Sequence, residues 1–359
     1  MHKSHYIIPI FVPHEGCPHN CVFCNQSSIT GSTNKVNKAF VENTIEEYLK
    51  TIPNKGSTIE VSFFGGTFTA IAMDKQKELL SVAKEYKRLN KIKYIRLSTR
   101  PDYINEEILN NLKDYDVDII ELGVQSLDEE VLFKSLRGHS EIDVVKSSKL
   151  IKKYGFTLGH QIMLGLPGDS FLKDMETTEK LIKLGPEIVR IYPALVIKDT
   201  PMEKMYHNNT FIPFTLEETI KIAKAVYGRF VASGIKVIRA GLQPTEEINV
   251  GKDLIAGPFH PAFRELVEGS IINDMLSSSI PLHYKGEVVI RINPKDISKL
   301  YCNKKLYFNH MKAFLNDTCF KVIQTNSLEK GILQVKTDKT CLDLSVLKYI
   351  IQKYKEGFL

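Results

Sequence analysis

Two hydrophobic rhythms take turns along most of this chain. Short apolar and β-branched runs fall at 6–12, 58–64, 93–99, 118–124, 157–164 and 187–192. Between them, apolar residues recur at helical spacing near 38–51, 73–89, 105–114, 141–154 and 170–184. A further stripe near 215–232 places Leu216, Ile220, Ala223, Tyr227 and Phe230 on one helix face, and 235–240 reads as another strand. Regular β–α alternation predicts an α/β fold, a parallel sheet with helices outside it. Six such units predict a partial barrel rather than a closed eightfold one. In barrels of this kind the loops at the C-terminal ends of the strands carry the chemistry.

The rhythm changes after Pro281 and Gly286. Strands near 286–292, 318–324 and 331–336, a helix near 303–315 and an amphipathic helix over 343–355 predict a small α+β appendage. The expected division is a core of 1–245, a connecting helical segment of 246–284 with its helix near 261–278, and an appendage of 285–359. No repeat or low-complexity segment interrupts it.

Composition adds three points. Apolar residues make up 43% of the chain, enough for a large core. No window approaches 18 unbroken apolar residues and the first five residues lack an apolar signal core, so no membrane partner is expected and a soluble cytoplasmic protein is. The net charge of +6 is unevenly placed: 285–359 holds 14 Lys and Arg against 7 Asp and Glu, while the remainder is nearly balanced. Such a field could attract a polyanion; the plain alternative is a solvated lysine-rich surface.

The densest chemistry lies just after the first predicted strand, in Cys17-Pro18-His19-Asn20-Cys21-Val22-Phe23-Cys24. Three thiolates on one loop can hold one soft metal centre, and iron–sulfur clusters require thiolates. The next cysteine is Cys302, so a cube held here keeps one iron open to a small chelating ligand. Zinc with His14 or His19 as fourth ligand is one alternative, and inert thiols are another. Three cysteines on one loop cannot all pair as disulfides. Cys302, Cys319 and Cys341 are spaced too widely for a C-x2-C pair and read as ordinary thiols, with a second metal centre left open.

Other polar groups gather at predicted strand ends. Gly65-Gly66-Thr67 closes the second run; such glycines let a backbone approach a ligand, although alone they more often mark a turn. Ser98-Thr99-Arg100-Pro101-Asp102 closes the third, with Asn105 as helix cap. Glu121 and Gln125, near the end of the fourth, need partners if buried. Ser126 with Glu129 three residues on reads as a capping box. Arg137-Gly138-His139 forms a turn whose guanidinium suits a carboxylate. Gln161 sits mid-strand and should point into the barrel, with Asp169 or Ser170 capping the helix beyond. Arg190 and Tyr192 share one face of the sixth strand.

In order, the cysteine loop, Gly65-Gly66-Thr67, Ser98-Thr99-Arg100-Pro101-Asp102, Glu121-Leu122-Gly123-Val124-Gln125-Ser126, Arg137-Gly138-His139, Leu166-Pro167-Gly168 and Tyr192-Pro193-Ala194-Leu195-Val196-Ile197-Lys198 resemble the radical S-adenosylmethionine (SAM) half of the Elongator catalytic subunit. More distantly they resemble oxygen-independent coproporphyrinogen oxidase. The resemblance covers about 5–245, and the appendage is similar to the C-terminal region of Elongator-like proteins. It implies a partial (β/α)6 TIM-like barrel of the radical SAM type with a small α+β C-terminal appendage. It implies a [4Fe–4S] cluster on Cys17, Cys21 and Cys24, with the fourth iron taking the amine and carboxylate of SAM. Gly65, Gly66 and Thr67 would line the methionine end, Gln125 and Arg137 would meet its polar groups, Gln161 would take the ribose position, and Phe23 would pack near the adenine.

The implied reaction is one-electron cleavage of SAM to methionine and a 5′-deoxyadenosyl radical that abstracts hydrogen from a substrate, with a flavodoxin or ferredoxin as reductant. RNA, tRNA in particular, is the first-choice substrate. A small metabolite or tetrapyrrole comes next, and a non-catalytic cluster- or zinc-bearing RNA-binding module is the other class. Three departures stand out. The Elongator subunit has a longer gap between its first two cysteines. Ser98 occupies a position where relatives often place a glutamate for the SAM amine. The sequence stops where the Elongator acetyltransferase domain would begin, so acetyl-CoA-dependent wobble-uridine chemistry is not implied.

Overall fold

The computed structural model describes residues 5–12, 17, 19–25, 36–53, 56–242, 249, 251–316 and 318–357. The chain forms two compact units, Met1–Phe214 with Gln243–Pro258, and Thr215–Leu242 with Phe259–Leu359. The first contains strands β1 (His5–Phe11), β2 (Thr58–Phe64), β3 (Tyr94–Thr99), β4 (Ile119–Gln125), β5 (Thr157–Leu164) and β6 (Ile188–Pro193). They lie side by side in chain order and every neighbouring pair is parallel. Helices α1 (Lys38–Thr51), α2 (Met73–Arg88), α3 (Glu106–Asp114), α4 (Glu129–Lys134), α5 (Glu141–Lys153) and α6 (Phe171–Leu184) occupy the connections. This is the α/β partial barrel that the alternation predicts.

Successive side chains along a strand point to opposite faces, and here the faces differ in kind. One row, including Ile8, Ile10, Val61, Phe63, Ile95, Leu97, Leu122 and Ile191, is fully buried. Burying each such side chain contributes about 1.5–3 kcal/mol, so this row holds the sheet. The other row is polar: Glu60 and Ser62 on β2, Arg96 and Ser98 on β3, Glu121 and Gln125 on β4, Gln161 on β5, Arg190 and Tyr192 on β6.

Local signals mostly behave as read. Asn105 caps α3, accepting from Ile108 N at 2.8 Å. Ser170, not Asp169, caps α6, accepting from Lys173 N at 3.4 Å. The capping box expected from Ser126 and Glu129 does not form. The helix starts later than the pattern suggests: Asp128 is the cap, accepting from Val131 N at 3.0 Å, and Ser126 Oγ accepts from Asp128 N at 3.1 Å.

The second unit contains helices Leu216–Ala232 and Phe263–Ser279 and a four-stranded sheet in the order Cys319–Gln324, Glu287–Ile292, Ile332–Lys336, Cys341–Ser345. Ile290, Ile292, Leu333, Val335, Met311 and Leu315 form its core. Residues 341–345 are a strand, whereas the sequence reading assigned 343 onward to a helix. Leu342 and Leu344 alternate with Asp343, which accepts from the Gln334 amide at 2.9 Å across the antiparallel pair, and the helix begins only at Val346. Cys302 is buried, which pushes its thiol up to about 11, while Cys319 and Cys341 are exposed. Among the described residues no helix is long and apolar enough to cross a membrane.

One device in the first unit gives a measurable pH signature. Asp169, in the loop after β5, accepts from Gly165 N at 3.0 Å and Ser170 N at 2.8 Å and shares a hydrogen bond with buried Asp174. Burial pushes Asp169 up to about 6 and Asp174 well above the usual range, so the pair keeps a proton. A carboxyl whose folded pKa is raised stabilises fully below its unfolded pKa, about 4, and loses that contribution as pH climbs through the folded value. Buried His139 and His160, both pushed down to about 3 by burial, act in the opposite sense on acidification. The signature therefore lies in a difference. Asp174→Asn should donate to Asp169 without a proton to lose, and its melting temperature should gain on the unsubstituted chain between about pH 4 and 6. Parallel melting curves across that window would rule the shared proton out.

Candidate active site

The cysteine loop is described at residues 17 and 19–25; His14 and Pro18 lie outside the described residues. Cys21 and Val22 are buried, and Cys17, Phe23 and Cys24 are half-buried. The loop turns on itself, with Cys24 N donating to Cys21 O at 3.0 Å and Cys17 Sγ to His19 O at 3.5 Å. It is anchored from outside by Val22 N to Ser135 O at 3.2 Å, Met202 N to Val22 O at 2.8 Å and Asn25 Nδ2 to Lys198 O at 2.9 Å. Val22 packs with Val131, Leu166, Ala194 and Met202, and Phe23 lies against the same cluster.

Among the described residues no three His, Cys, Asp or Glu side chains converge as ligands of a single ion. His19, the candidate fourth zinc ligand, faces Asp102 at 3.9 Å, and burial and then Arg100 hold its ring below its ordinary pKa. Three soft sulfur donors on one loop suit an iron–sulfur cluster.

The other predicted residues occupy three settings. Gly65 and Gly66 turn the chain after β2 with φ of +84° and +53°, and a Cβ at Gly65 would lie 3.1 Å from Val12 O. Thr67 follows, fully buried, its Oγ1 without a hydrogen-bond partner. At the end of β4 the register breaks between Gly123 and Gln125. Gln125 takes φ of +67°, rare for a side chain of this kind, and its buried Oε1 also has no partner. Arg137, on the turn between α4 and α5, is buried; it donates through Nη1 to Cys21 Sγ at 3.2 Å and through Nη2 to Gly123 O, and its Nε is unpartnered. Buried polar atoms normally find a partner in protein, water or ligand, and Thr67, Gln125 and Arg137 are among the described residues that leave one unpaired. Arg137, which touches Cys21, and Gln125, which like Arg137 lies against Gly123, thus fit a polar ligand beside the cysteine loop.

Ser98 and Gln161 belong to the third setting, the polar interior row. Gln161 Nε2 donates to Ser98 Oγ at 3.2 Å and to Glu121 Oε2 at 3.1 Å, and Ser98 Oγ donates to Glu121 Oε2 at 3.4 Å. A carboxylate only accepts, so Glu121 turns the Gln161 amide nitrogen toward itself and leaves the carbonyl for a ligand. Below them runs a buried ionic network. Arg96 meets Glu60 at 2.8 Å and Glu121 at 2.7 Å, and Arg190 meets Glu121 at 3.0 Å. Burial opposes the charge on Arg190, but Glu121 and then Tyr192 hold it more firmly protonated than usual. Its guanidinium lies 5.2 Å from the centre of the Phe64 ring. Two anions and two cations balance, while Phe64, Ser98, Gln161, Met163 and Tyr192 remain only half-buried above them.

Sequence reasoning missed the structural part played by Arg100, Asp102, Glu60 and Arg96. For Glu60 and Arg96 the available signal was charge inside otherwise apolar strands.

The fold and loop together define an α/β half-barrel with a loop of three cysteines after its first strand. Comparison with known proteins carries this further. The profile of the Radical SAM superfamily matches residues 11–182, and that of the Radical_SAM C-terminal domain matches 186–273. The chain belongs to the radical SAM superfamily, whose cofactors are a [4Fe–4S] cluster and SAM.

It is 28% identical over 268 residues to a tRNA uridine(34) acetyltransferase of Methanocaldococcus infernus, covering 63% of this chain and 50% of that protein. An uncharacterized protein of Methanocaldococcus jannaschii is 34% identical over 201 residues, 53% of this chain and 62% of its own. The chain spans about half the length of the tRNA uridine(34) acetyltransferases it matches. Among solved structures, the archaeal Methanocaldococcus infernus Elp3 with an N-terminal deletion superposes with a TM-score of 0.57 at 21% identity, over 93% of this chain and 74% of that one, and shares the fold.

Proposed function

We propose that this protein reductively cleaves SAM to methionine and a 5′-deoxyadenosyl radical, which takes a hydrogen atom from an RNA substrate. The observation that carries this reading is the cysteine loop held by Arg137 through Cys21, with unpartnered buried polar atoms on Arg137 and on Gln125, both of which lie against Gly123. When bound, the cluster would supply the single electron that breaks the carbon–sulfur bond of SAM. Cys17, Cys21 and Cys24 would hold it. Gly65, Gly66 and Thr67 would receive the methionine end with backbone polar groups, Gln125 Oε1 would accept from its amine, and Arg137 Nε would donate to its carboxylate. Gln161 would accept from ribose hydroxyls through the carbonyl that Glu121 leaves exposed. Phe23 would flank the adenine. Ser98, which cannot reach as far as a glutamate, would act through Glu121 and Gln161.

RNA is favoured as substrate because the matched acetyltransferases are tRNA enzymes by name and because the basic excess lies in 285–359. A cytoplasmic setting and a flavodoxin or ferredoxin reductant complete the proposal. Anaerobic reconstitution should give roughly four irons per chain and, with dithionite, 5′-deoxyadenosine from SAM. One zinc per chain, or no deoxyadenosine, would leave a binding module instead. RNA retention should fall steeply with salt. Indifference to RNA at low salt would move the substrate to small metabolites.

A further inference from the structure

Arg137 is engaged on almost every side by the protein. Its Nη1 donates to Cys21 Sγ at 3.2 Å and its Nη2 to the Gly123 carbonyl. Its backbone N–H donates to Leu132 O at 3.0 Å, and its carbonyl accepts from Arg100 Nη2. Arg100 is in turn gripped by Asp102 through paired bonds of 3.0 and 2.9 Å. Arg137 is 5% exposed and Cys21 3%, so water competes little for either. The turn itself is pressed onto the cysteine loop: Val22 N donates to Ser135 O, and a Cβ at Gly138 would lie 2.3 Å from the His19 ring. A connected path therefore runs from the end of β3, through two guanidinium groups, to one sulfur of the loop.

We propose that Arg137 is a positioning residue that sets the reduction potential of the cluster, donating an N–H to the Cys21 sulfur and holding a buried positive charge beside it, with Arg100 and Asp102 as its clamp. The inference rests on Cys17, Cys21 and Cys24 being the cluster ligands. A reduced cluster carries one more negative charge than an oxidised one. A donor on a ligand sulfur and a cation nearby both favour the reduced form, which raises the potential. Arginine suits the task because its planar fork reaches the sulfur and the Gly123 carbonyl together while staying charged. A lysine would keep the charge but could not span both. Nε remains for a bound carboxylate, so ligand binding and potential would be coupled through one side chain.

The test is a spectroelectrochemical titration of the anaerobically reconstituted full chain without SAM. Arg137→Met should give the most negative potential. Arg137→Lys should fall between it and the unsubstituted protein. Arg100→Lys should shift the same way by less, and exposed Arg88→Met should not shift it. A second measurement needs no substitution. Protein labelled with 15N-arginine should show a weak 15N coupling to the reduced cluster in pulsed EPR, which decides the matter if the Arg137 variants fail to fold or to hold iron. An unchanged potential in cluster-loaded Arg137→Met, or no arginine coupling in the unsubstituted protein, would overturn the inference and leave the cluster assignment standing. Failure of the unsubstituted protein to assemble a four-iron cluster would overturn both.

Discussion

Cys21→Ser is expected to leave the protein folded, nearly iron-free after reconstitution, and without 5′-deoxyadenosine production above background. The reason is chemical first. A serine hydroxyl is a hard, protonated donor at neutral pH, and iron–sulfur clusters need soft thiolates. Cys21 is also the one buried cysteine of the loop, and the one that accepts from Arg137. A buried hydroxyl costs about 1–3 kcal/mol if left unpaired, but the guanidinium can donate to it as it does to sulfur, so most of the fold should survive. Cys341→Ser, on an exposed strand in the second unit, serves as the control and should keep full iron and activity. Retention of about four irons in Cys21→Ser would move the cluster off this loop.

Glu121→Ala should be among the most destabilising single changes in the first unit, by about 3–5 kcal/mol in urea unfolding. Glu121 meets both Arg96 and Arg190 and is 1% exposed. Truncating it leaves two buried cations with only Glu60 between them. A surface pair such as Lys134–Glu130 should contribute about 0–1 kcal/mol by comparison. Stability alone would not require the network. Replacing Glu60, Arg96, Glu121 and Arg190 together with apolar residues of similar volume should recover most of the loss, because the desolvation cost disappears with the charges. That quadruple variant should still fail to retain SAM, since Gln161 and Ser98 would lose the acceptor that orients them. If it bound SAM normally, the network would be scaffolding only.

Much of this was legible beforehand, for identifiable reasons. The six parallel strands fall within two residues of their expected bounds because each carries a fully buried apolar row at alternate positions, bounded by turn residues. The cysteine loop and the paired glycines announce themselves because their chemistry is local. What escaped depends on distant partners. The Ser126 capping box looked right in sequence, but Asp128 sits nearer the first helical turn. Residues 341–345 carry a strand only because 332–336 lies beside them. The two-residue strand Val196–Ile197 pairs with Leu254–Ala256, more than fifty positions away. Arg100 and Asp102 belong to a quoted motif, yet their grip on Arg137 exists only once β3 ends beside the turn after α4.

The alternation along these strands sorts the burdens a sheet must carry. Every second residue belongs to the apolar row that holds the sheet; on the other row the ion network of Glu60, Arg96, Glu121 and Arg190 also bears on stability, and the half-buried residues beyond it are released from that duty. Phe64, Met163 and Tyr192, half-buried on that second row, should therefore change with little effect on foldability. Variation confined to these few positions would let a lineage, or a combinatorial library, explore new guests while the barrel stays standing.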